Sequence, residues 1–284
     1  MDGLLSGLAD LGLDNLEGMD IFGEEEKKVA KIQPVKTEVH KLEEKDFIYD
    51  RNFECPVCDE HFMSKIVKTG KARLLATDRD LRPRYEGIDV VKYDVILCPH
   101  CGYGALTRYF GNMSTGHIKL IREGISNHVH LHIFHNETYT YEEALERYKV
   151  CLANAVVKHA KASEKAYICL KSAWLLRGYV EWLEEQDDFD DKKREGLKAQ
   201  ENAYLQNALS GFIEARQKEN YPMCGMDEMT VDYLLAVLAA HFGQYEVASK
   251  MVSTILTSNN ANSRTKDRAR ELKEHILEER RKKG

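Results

Sequence analysis

The sequence predicts a mostly helical α+β protein in which a small β-rich domain is followed by an α-solenoid of helical hairpins. Three observations support this prediction: two C-x-x-C pairs lie among short β-type runs, helical periodicity extends from Ser114 onward, and an alanine–aromatic pattern recurs within it. We therefore divide the chain into an acidic arm over 1–46, a β-rich domain over 47–110 and a helical domain over 114–284.

The composition, 43% hydrophobic and 31% charged over 284 residues, is typical of a soluble globular protein. No apolar run approaches the roughly 20 residues of a transmembrane helix, and the N-terminus lacks the basic segment of a signal peptide, so we expect a cytoplasmic protein without a membrane contact. Residues 1–26 carry eight acids and no base. We expect a disordered acidic arm, with ordering against a partner's groove as the alternative.

The most informative motif consists of two matched C-x-x-C turns, separated by 39 residues. Each turn can direct two thiolates at one metal ion, and two turns complete a tetrahedral site. The spacing predicts a zinc ribbon with one structural zinc per chain, bound by Cys55, Cys58, Cys98 and Cys101. Four thiolates leave no open coordination position, which argues against a hydrolase. Iron bound by the same ligands and a redox-active dithiol are the alternatives.

Other candidate ligands give weaker signals. His61 and His100 lie beside the cysteines, and we expect them to contact a sulfur or solvent rather than replace a ligand. The tract from His128 to His135 resembles a metal-binding run, but it falls where a loop should connect two helices, so we expect a polar loop. The remaining cysteines are expected to be unpaired core or surface residues: Cys151, Cys169 and Cys224.

Basic residues are concentrated between the two cysteine pairs, together with Tyr85 and Tyr93. Such a surface can bind nucleic-acid phosphates, as zinc ribbons often do. However, residues 59–97 carry seven acids to eight bases and the net charge of the chain is −6, which favours a solvated or partner-facing surface. The candidate phosphate or partner contacts are Lys71, Arg73, Arg79, Arg82 and Arg84.

Helical periodicity and capping residues define the second half of the chain. Thr140 and Glu143 form a capping-box pattern, and Ser163 and Asp227 are expected N-caps. The expected helices span about 116–126, 141–158, 163–182, 191–218, 227–241, 244–258 and 263–281.

The alanine–aromatic pattern resembles the tetratricopeptide repeat. Ala208, Phe212 and Ala215 match its second helix, and a more complete copy extends from Leu235 to Ile255. A weaker copy begins at Ala144. Because the spacings of 64 and 40 residues are irregular, we expect degenerate tetratricopeptide-like hairpins, with an ordinary helical bundle as the alternative. The aromatic residues of these helices, Trp174 and Trp182 among them, are interpreted as core or groove packing.

Four segments carry a resemblance to a known family. They are the pair at Cys55, the ribbon segment from Tyr93 to Gly104, the stretch Tyr141–Lys149 and the stretch Lys171–Arg177. Over about residues 50–258 the chain resembles the bacterial family known as domain of unknown function 2225. The resemblance implies a zinc ribbon fused to tetratricopeptide-like helices, and it implies no activity.

Together these features favour a binding module. We expect a protein or peptide partner on the groove of the helical repeats, with the ribbon as a structural cap or a second contact and a non-catalytic zinc. The alternative is a nucleic-acid-binding or transcription-associated factor that uses the basic face of the ribbon. An enzyme is the least favoured interpretation because no open metal site is recognisable in the sequence.

Overall fold

From residue 48 onward the chain forms short β-hairpins and then helices, so the mostly helical α+β class is confirmed. The protein is described by a computed structural model, which covers residues 42–111, 113–132, 136–186 and 190–283. Residues 1–41 of the predicted arm lie outside the described residues. Among the described residues, no helix combines the length and the apolar composition that a membrane span requires.

In the described part of the chain, six strands form three separate two-stranded antiparallel sheets, each made from consecutive strands. Their bounds are β1 Ile48–Glu54, β2 His61–Val67, β3 Leu74–Thr77, β4 Pro83–Tyr85, β5 Val95–Leu97 and β6 Gly104–Leu106. Glu54 pairs with His61, and Leu97 pairs with Gly104. Each C-x-x-C turn is therefore the loop of a hairpin, with its two cysteines between paired strand ends.

Seven α-helices follow within the described ranges. They are α1 Thr115–Ile121, α2 Tyr141–Val157, α3 Ala162–Glu185, α4 Asp191–Lys218, α5 Glu228–His241, α6 Tyr245–Thr257 and α7 Ser263–Lys283. The N-cap predicted at Asp227 is confirmed, because its carboxylate accepts the N–H of Thr230. The N-cap predicted at Ser163 is wrong: α3 begins at Ala162, and the Ser163 hydroxyl instead donates to Glu219 over 2.5 Å.

Consecutive helices pack against one another from α2 to α7, and the most extensive contact joins α3 to α4. The close approach depends on small residues, because a Cβ added at Gly211 would lie 2.8 Å from the Cβ of Ala166. The repeat-like residues of α4 are buried in this contact: Ala208, Phe212 and Ala215. A second hairpin joins α5 to α6 through Gly243, whose φ of 74° suits glycine. The assignment of these hairpins as repeats stays a prediction.

The β-rich and helical segments share hydrophobic cores. Val95 and Leu106 of the third sheet are buried in the same cluster as residues of α2 and α3. Ile121 and Ile125, which follow the ribbon, pack with its four cysteines. Residues Leu42–Gly284 accordingly form one compact unit. The division of this unit at about residue 110 stays a prediction.

Candidate metal centre

The two C-x-x-C turns have the same backbone geometry. The N–H of Cys55 donates to the carbonyl of the residue five positions later over 3.0 Å, and the N–H of Cys98 does the same over 2.8 Å. The residue after each pair has a left-handed backbone, with a φ of 62° at Asp59 and 71° at Gly102. This conformation closes each turn and directs both sulfurs of a pair toward the other pair.

The four cysteine sulfurs lie within 4.8 Å of one another. The Sγ atoms of Cys55 and Cys101 are 3.5 Å apart, and those of Cys58 and Cys98 are 3.7 Å apart. Four sulfurs held 2.3 Å from a central ion in a tetrahedron are about 3.8 Å apart, so these distances fit one metal ion. Within the described residues, this is the one cluster of three or more potential ligands.

The proximity of the thiols strongly perturbs their pKa values. The contact with Cys101 lowers the pKa of Cys55 to about 2. The same contact raises the pKa of Cys101 well above its usual range. Without a metal ion, the Cys55 thiolate is therefore stabilised by a hydrogen bond from the protonated thiol of Cys101. A bound cation can replace that proton and stabilise all four groups as thiolates, because metal ligands must be deprotonated.

Helical residues anchor both turns by hydrogen bonds to backbone carbonyls. Arg122, in the π-helical turn after α1, donates from Nε to the carbonyl of Val57 over 3.0 Å. Asn154 of α2 donates to the carbonyl of Gly102 over 2.9 Å. Three of the four cysteines are buried and Cys58 is partly buried. The arrangement is a closed four-sulfur site with both halves attached to the helices.

The remaining candidate ligands lie outside this cluster. His61 and His100 are exposed, and neither belongs to the group of potential ligands. Residues 133–135 of the histidine tract lie outside the described residues, while His132 Nδ1 lies 2.8 Å from a carboxylate oxygen of Glu146. The three other cysteines are free and buried, as expected for core residues: Cys151, Cys169 and Cys224. Burial raises the pKa of Cys169 to about 11.

Two of the five predicted basic contacts are engaged inside the protein. The guanidinium of Arg82 is buried, 3.3 Å from Asp89 and 2.9 Å from Glu181 of α3. Arg84 lies 2.5 Å from Asp78 and 2.7 Å from the second oxygen of Glu181. The structure thus brings Arg82 and Arg84 together around one carboxylate of α3. These two side chains fasten the hairpin β3–β4 to the helices.

The other three predicted contacts are more exposed. Arg73 forms a surface ion pair with Glu86 at 2.9 Å. Lys71 is exposed on the turn before β3, and Arg79 is exposed in the loop between β3 and β4. The five residues therefore do not form one open basic face. Phosphate binding by these five residues stays a prediction.

A cavity of about 560 Å³, which we term the junction cavity, opens where hairpin β3–β4 meets α2 and α3. Arg82 and Lys92 line its base, and Trp182, 44% exposed, stands at its side. No sequence pattern indicates this site beyond the helical spacing that places Tyr179 and Trp182 on one face of α3. Glu142 and Glu185 also line the cavity.

A smaller cavity of about 290 Å³, which we term the helical groove, lies among α3, α4, α5 and α7. The loop between β3 and β4 enters this space. Its Asp80 is 6% exposed and accepts hydrogen bonds from Trp174 and Arg177 of α3. Part of the helical groove is therefore occupied by the chain's own acidic loop.

Comparison with known proteins identifies a bacterial family. The model of a family described as an uncharacterized protein conserved in bacteria, DUF2225, matches residues 48–276, in agreement with the resemblance seen in the sequence. No curated protein and no solved structure matches the chain at a significant level. Because the match extends over most of the 284 residues and includes the four clustered cysteines and α2 to α6, the chain belongs to the DUF2225 family of uncharacterized bacterial proteins.

Proposed function

We propose that this protein is a cytoplasmic module that binds a protein or peptide partner, with a zinc ion that stabilises the ribbon and takes no part in chemistry. The junction cavity carries the proposal. It combines an open space of about 560 Å³ with a half-exposed Trp182, the type of residue that most often dominates the energetics of protein interfaces.

Zinc is the metal that we propose for the four-sulfur site. The spacing of the sulfurs supports a single ion, since a cluster of several irons would hold the cysteine sulfurs farther apart. Zinc suits a site of four thiolates and has no redox chemistry that would need solvent or substrate access. A single iron with the same ligands is the alternative, and elemental analysis distinguishes the two metals.

The position of the junction cavity also supports a binding role. It lies on the seam between ribbon and helices, so one partner can contact both parts, as expected for a ribbon that acts as a second contact. The helical groove among α3, α4, α5 and α7 has a smaller volume and holds Asp80 of the chain itself. We therefore favour the junction cavity over that groove as the main partner site.

Partner capture from cells of the source organism tests this function. We expect protein partners that remain bound after nuclease treatment and that are lost with Trp182→Ala. Leu277→Ala is the matched control, because Leu277 is an equally exposed apolar residue on α7 that does not line the cavity. Equal capture by both variants would reject the junction cavity as the partner site.

A second candidate function is nucleic-acid binding, and a specific groove favours it. A space of about 590 Å³, formed by the ribbon together with Lys171 of α3, is lined by Arg51 and Lys68 and by Tyr49 and Tyr85. Neither Arg51 nor Lys68 has a carboxylate partner among the described residues. Basic side chains can bind the phosphates of a nucleic acid, and neighbouring tyrosine rings can stack on its nucleobases. This groove replaces Arg82 and Arg84 as the favoured phosphate surface of the alternative.

A further inference from the structure

We infer that the junction cavity binds a lysine or arginine side chain of the partner, held between the indole ring of Trp182 and the carboxylates of Glu142 and Glu185. The inference rests on the proposed binding function and specifies the chemistry of the partner. Three observations carry it: the arrangement of the aromatic rings, the charges that line the cavity and the rigidity of its base.

The aromatic rings form a cluster that already attracts cations. Tyr141 and Tyr179 stack with ring centroids 5.3 Å apart, and Trp182 lies 6.1 Å from each. Lys92 Nζ is 5.0 Å from the centroid of Tyr141, and Lys193 Nζ is 4.9 Å from that of Tyr179. No cation of the described residues lies over Trp182, although indole is the strongest of the three rings for this contact.

The charges of the cavity leave an acidic surplus at its mouth. Each base that lines the cavity is paired within the chain, as shown by Lys92, which lies 2.6 Å from Glu44. Arg82 and Arg84 are paired as described above. Glu142 and Glu185 are exposed, and neither has a lysine, arginine or histidine partner among the described residues. Glu142 accepts a hydrogen bond from the hydroxyl of Tyr179, which keeps its carboxylate beside the aromatic cluster.

The base of the cavity is fixed by close packing against α3. A Cβ added at Gly178 would overlap a carboxylate oxygen of Asp89 and would lie 2.8 Å from Nη2 of Arg82. Tyr141 also donates its hydroxyl to Asp89 over 3.2 Å. These contacts hold the buried ion pairs in place, so the free carboxylates and the indole remain available to an incoming group. A phosphate group would meet uncompensated acids here, which makes a cationic ligand the complementary one.

Labelled peptides provide the direct test. We would measure fluorescence anisotropy of the full-length protein with nine-residue repeats of Gly-Ser-Lys, Gly-Ser-Arg and Gly-Ser-Glu at physiological salt. We expect binding of both basic peptides, no binding of the acidic one and a change in tryptophan emission. The double variant Glu142→Gln with Glu185→Gln should weaken binding roughly tenfold, since two charge contacts are lost. Trp182→Leu should weaken it roughly 5- to 30-fold, and Trp182→Phe less.

Glu184→Gln is the matched control for Glu185→Gln. It removes an equal charge from the neighbouring exposed position of α3, which does not line the cavity, and we expect less than a twofold change. All variants are compared by circular dichroism and zinc content. Equal losses for Glu184→Gln and Glu185→Gln would reject a specific cation site, as would the absence of basic-peptide binding up to about 1 mM.

Partner capture tests the binding function and the cation site separately. If Trp182→Ala releases the cellular partner while the Gln double variant retains it, the binding function holds and the cation site is rejected. If neither change releases the partner, the junction cavity is rejected as the partner site, and the cation site is rejected with it. Loss of the partner with both changes, together with basic-peptide binding, supports the cation site.

Discussion

Trp174 donates its indole N–H to a carboxylate oxygen of Asp80 over 3.1 Å, which joins helix α3 to the loop between β3 and β4. Arg177 adds hydrogen bonds of 3.1 and 2.7 Å to the same carboxylate. Asp80 is almost fully buried, so these three bonds replace its contacts with water. The loop of the ribbon is thereby held inside the helical groove.

Asp80→Ala is expected to destabilise the protein by about 3 kcal/mol, because it leaves the buried indole N–H of Trp174 without its acceptor and removes two charged hydrogen bonds of Arg177. Arg177 keeps its ion pairs with Asp78 and Glu201. Urea unfolding followed by circular dichroism measures the change. Asp50→Ala is the control, since it removes an exposed surface pair with Lys65 and should cost less than about 1 kcal/mol. Similar losses for the two variants would contradict the assigned role of Asp80.

Elemental analysis of tag-free protein is expected to give one zinc per chain. Cys98→Ser should abolish stoichiometric zinc and unfold the ribbon, because metal binding is coupled to folding of its two turns, while most helical signal should remain. Cys151→Ala removes a buried thiol outside the cluster and should keep the zinc. Iron in the protein from its native host would show that the metal assignment is wrong.

Glu143→Gln is expected to stabilise the protein at neutral pH by about 1 kcal/mol. Glu143 is 4% exposed, one of its carboxylate oxygens has no partner among the described residues, and burial raises its pKa. A raised pKa in the folded state means that the contribution of this group to stability is greatest below the unfolded value of about 4.3 and is lost as pH rises through the folded value.

Thermal unfolding between pH 4 and pH 8 checks this assignment. The melting temperature of Glu143→Gln should exceed that of the parent protein at pH 7, and the difference should shrink toward pH 4. Glu123→Gln, on the exposed π-helical turn, should show no such dependence. A destabilising effect of Glu143→Gln at neutral pH would indicate that the ionised carboxylate is required, for example by Arg147.

Nucleic-acid binding by the full-length protein is expected to be weak, with dissociation constants of roughly 1–100 µM at physiological salt. Changing Arg51 and Lys68 together to Glu should remove this residual affinity and leave protein partners bound. The matched control changes Arg270 and Lys282 of α7 to Glu, because both are exposed and already paired with acids. Submicromolar, salt-sensitive affinity that depends on Arg51 and Lys68 would instead favour the nucleic-acid function.

Local patterns predicted the elements well because their causes are local. The C-x-x-C turns, the Asp227 cap and the bounds of α4 all depend on residues within a few positions of one another. The Ser163 cap failed because its hydroxyl has a distant partner, Glu219, which no local pattern indicates. Contacts between residues that are distant in sequence also shape the junction cavity, so local patterns do not predict it.

The functional surfaces depend on contacts between residues that are far apart in the sequence, so sequence patterns did not predict them. Arg82 looked available for phosphates because the carboxylate that pairs with it, Glu181, lies 99 residues further along the chain. The junction cavity likewise forms only when hairpin β3–β4, α2 and α3 meet. The number of acids and bases along the sequence does not show which acidic residues of the cavity, such as Glu185, lack a basic partner in the folded protein.

The separation of Arg82 from Glu181 also has a consequence for synthesis on the ribosome. At about 5–20 residues per second, the ribbon hairpin is made roughly 5–20 s before the helix that pairs with it. During that interval a metal ion can bind the two cysteine turns, but hairpin β3–β4 has no helix against which to pack. Nascent chains that stall before α3 should therefore expose the unpaired ribbon hairpin to proteases and chaperones, even when the metal is already bound.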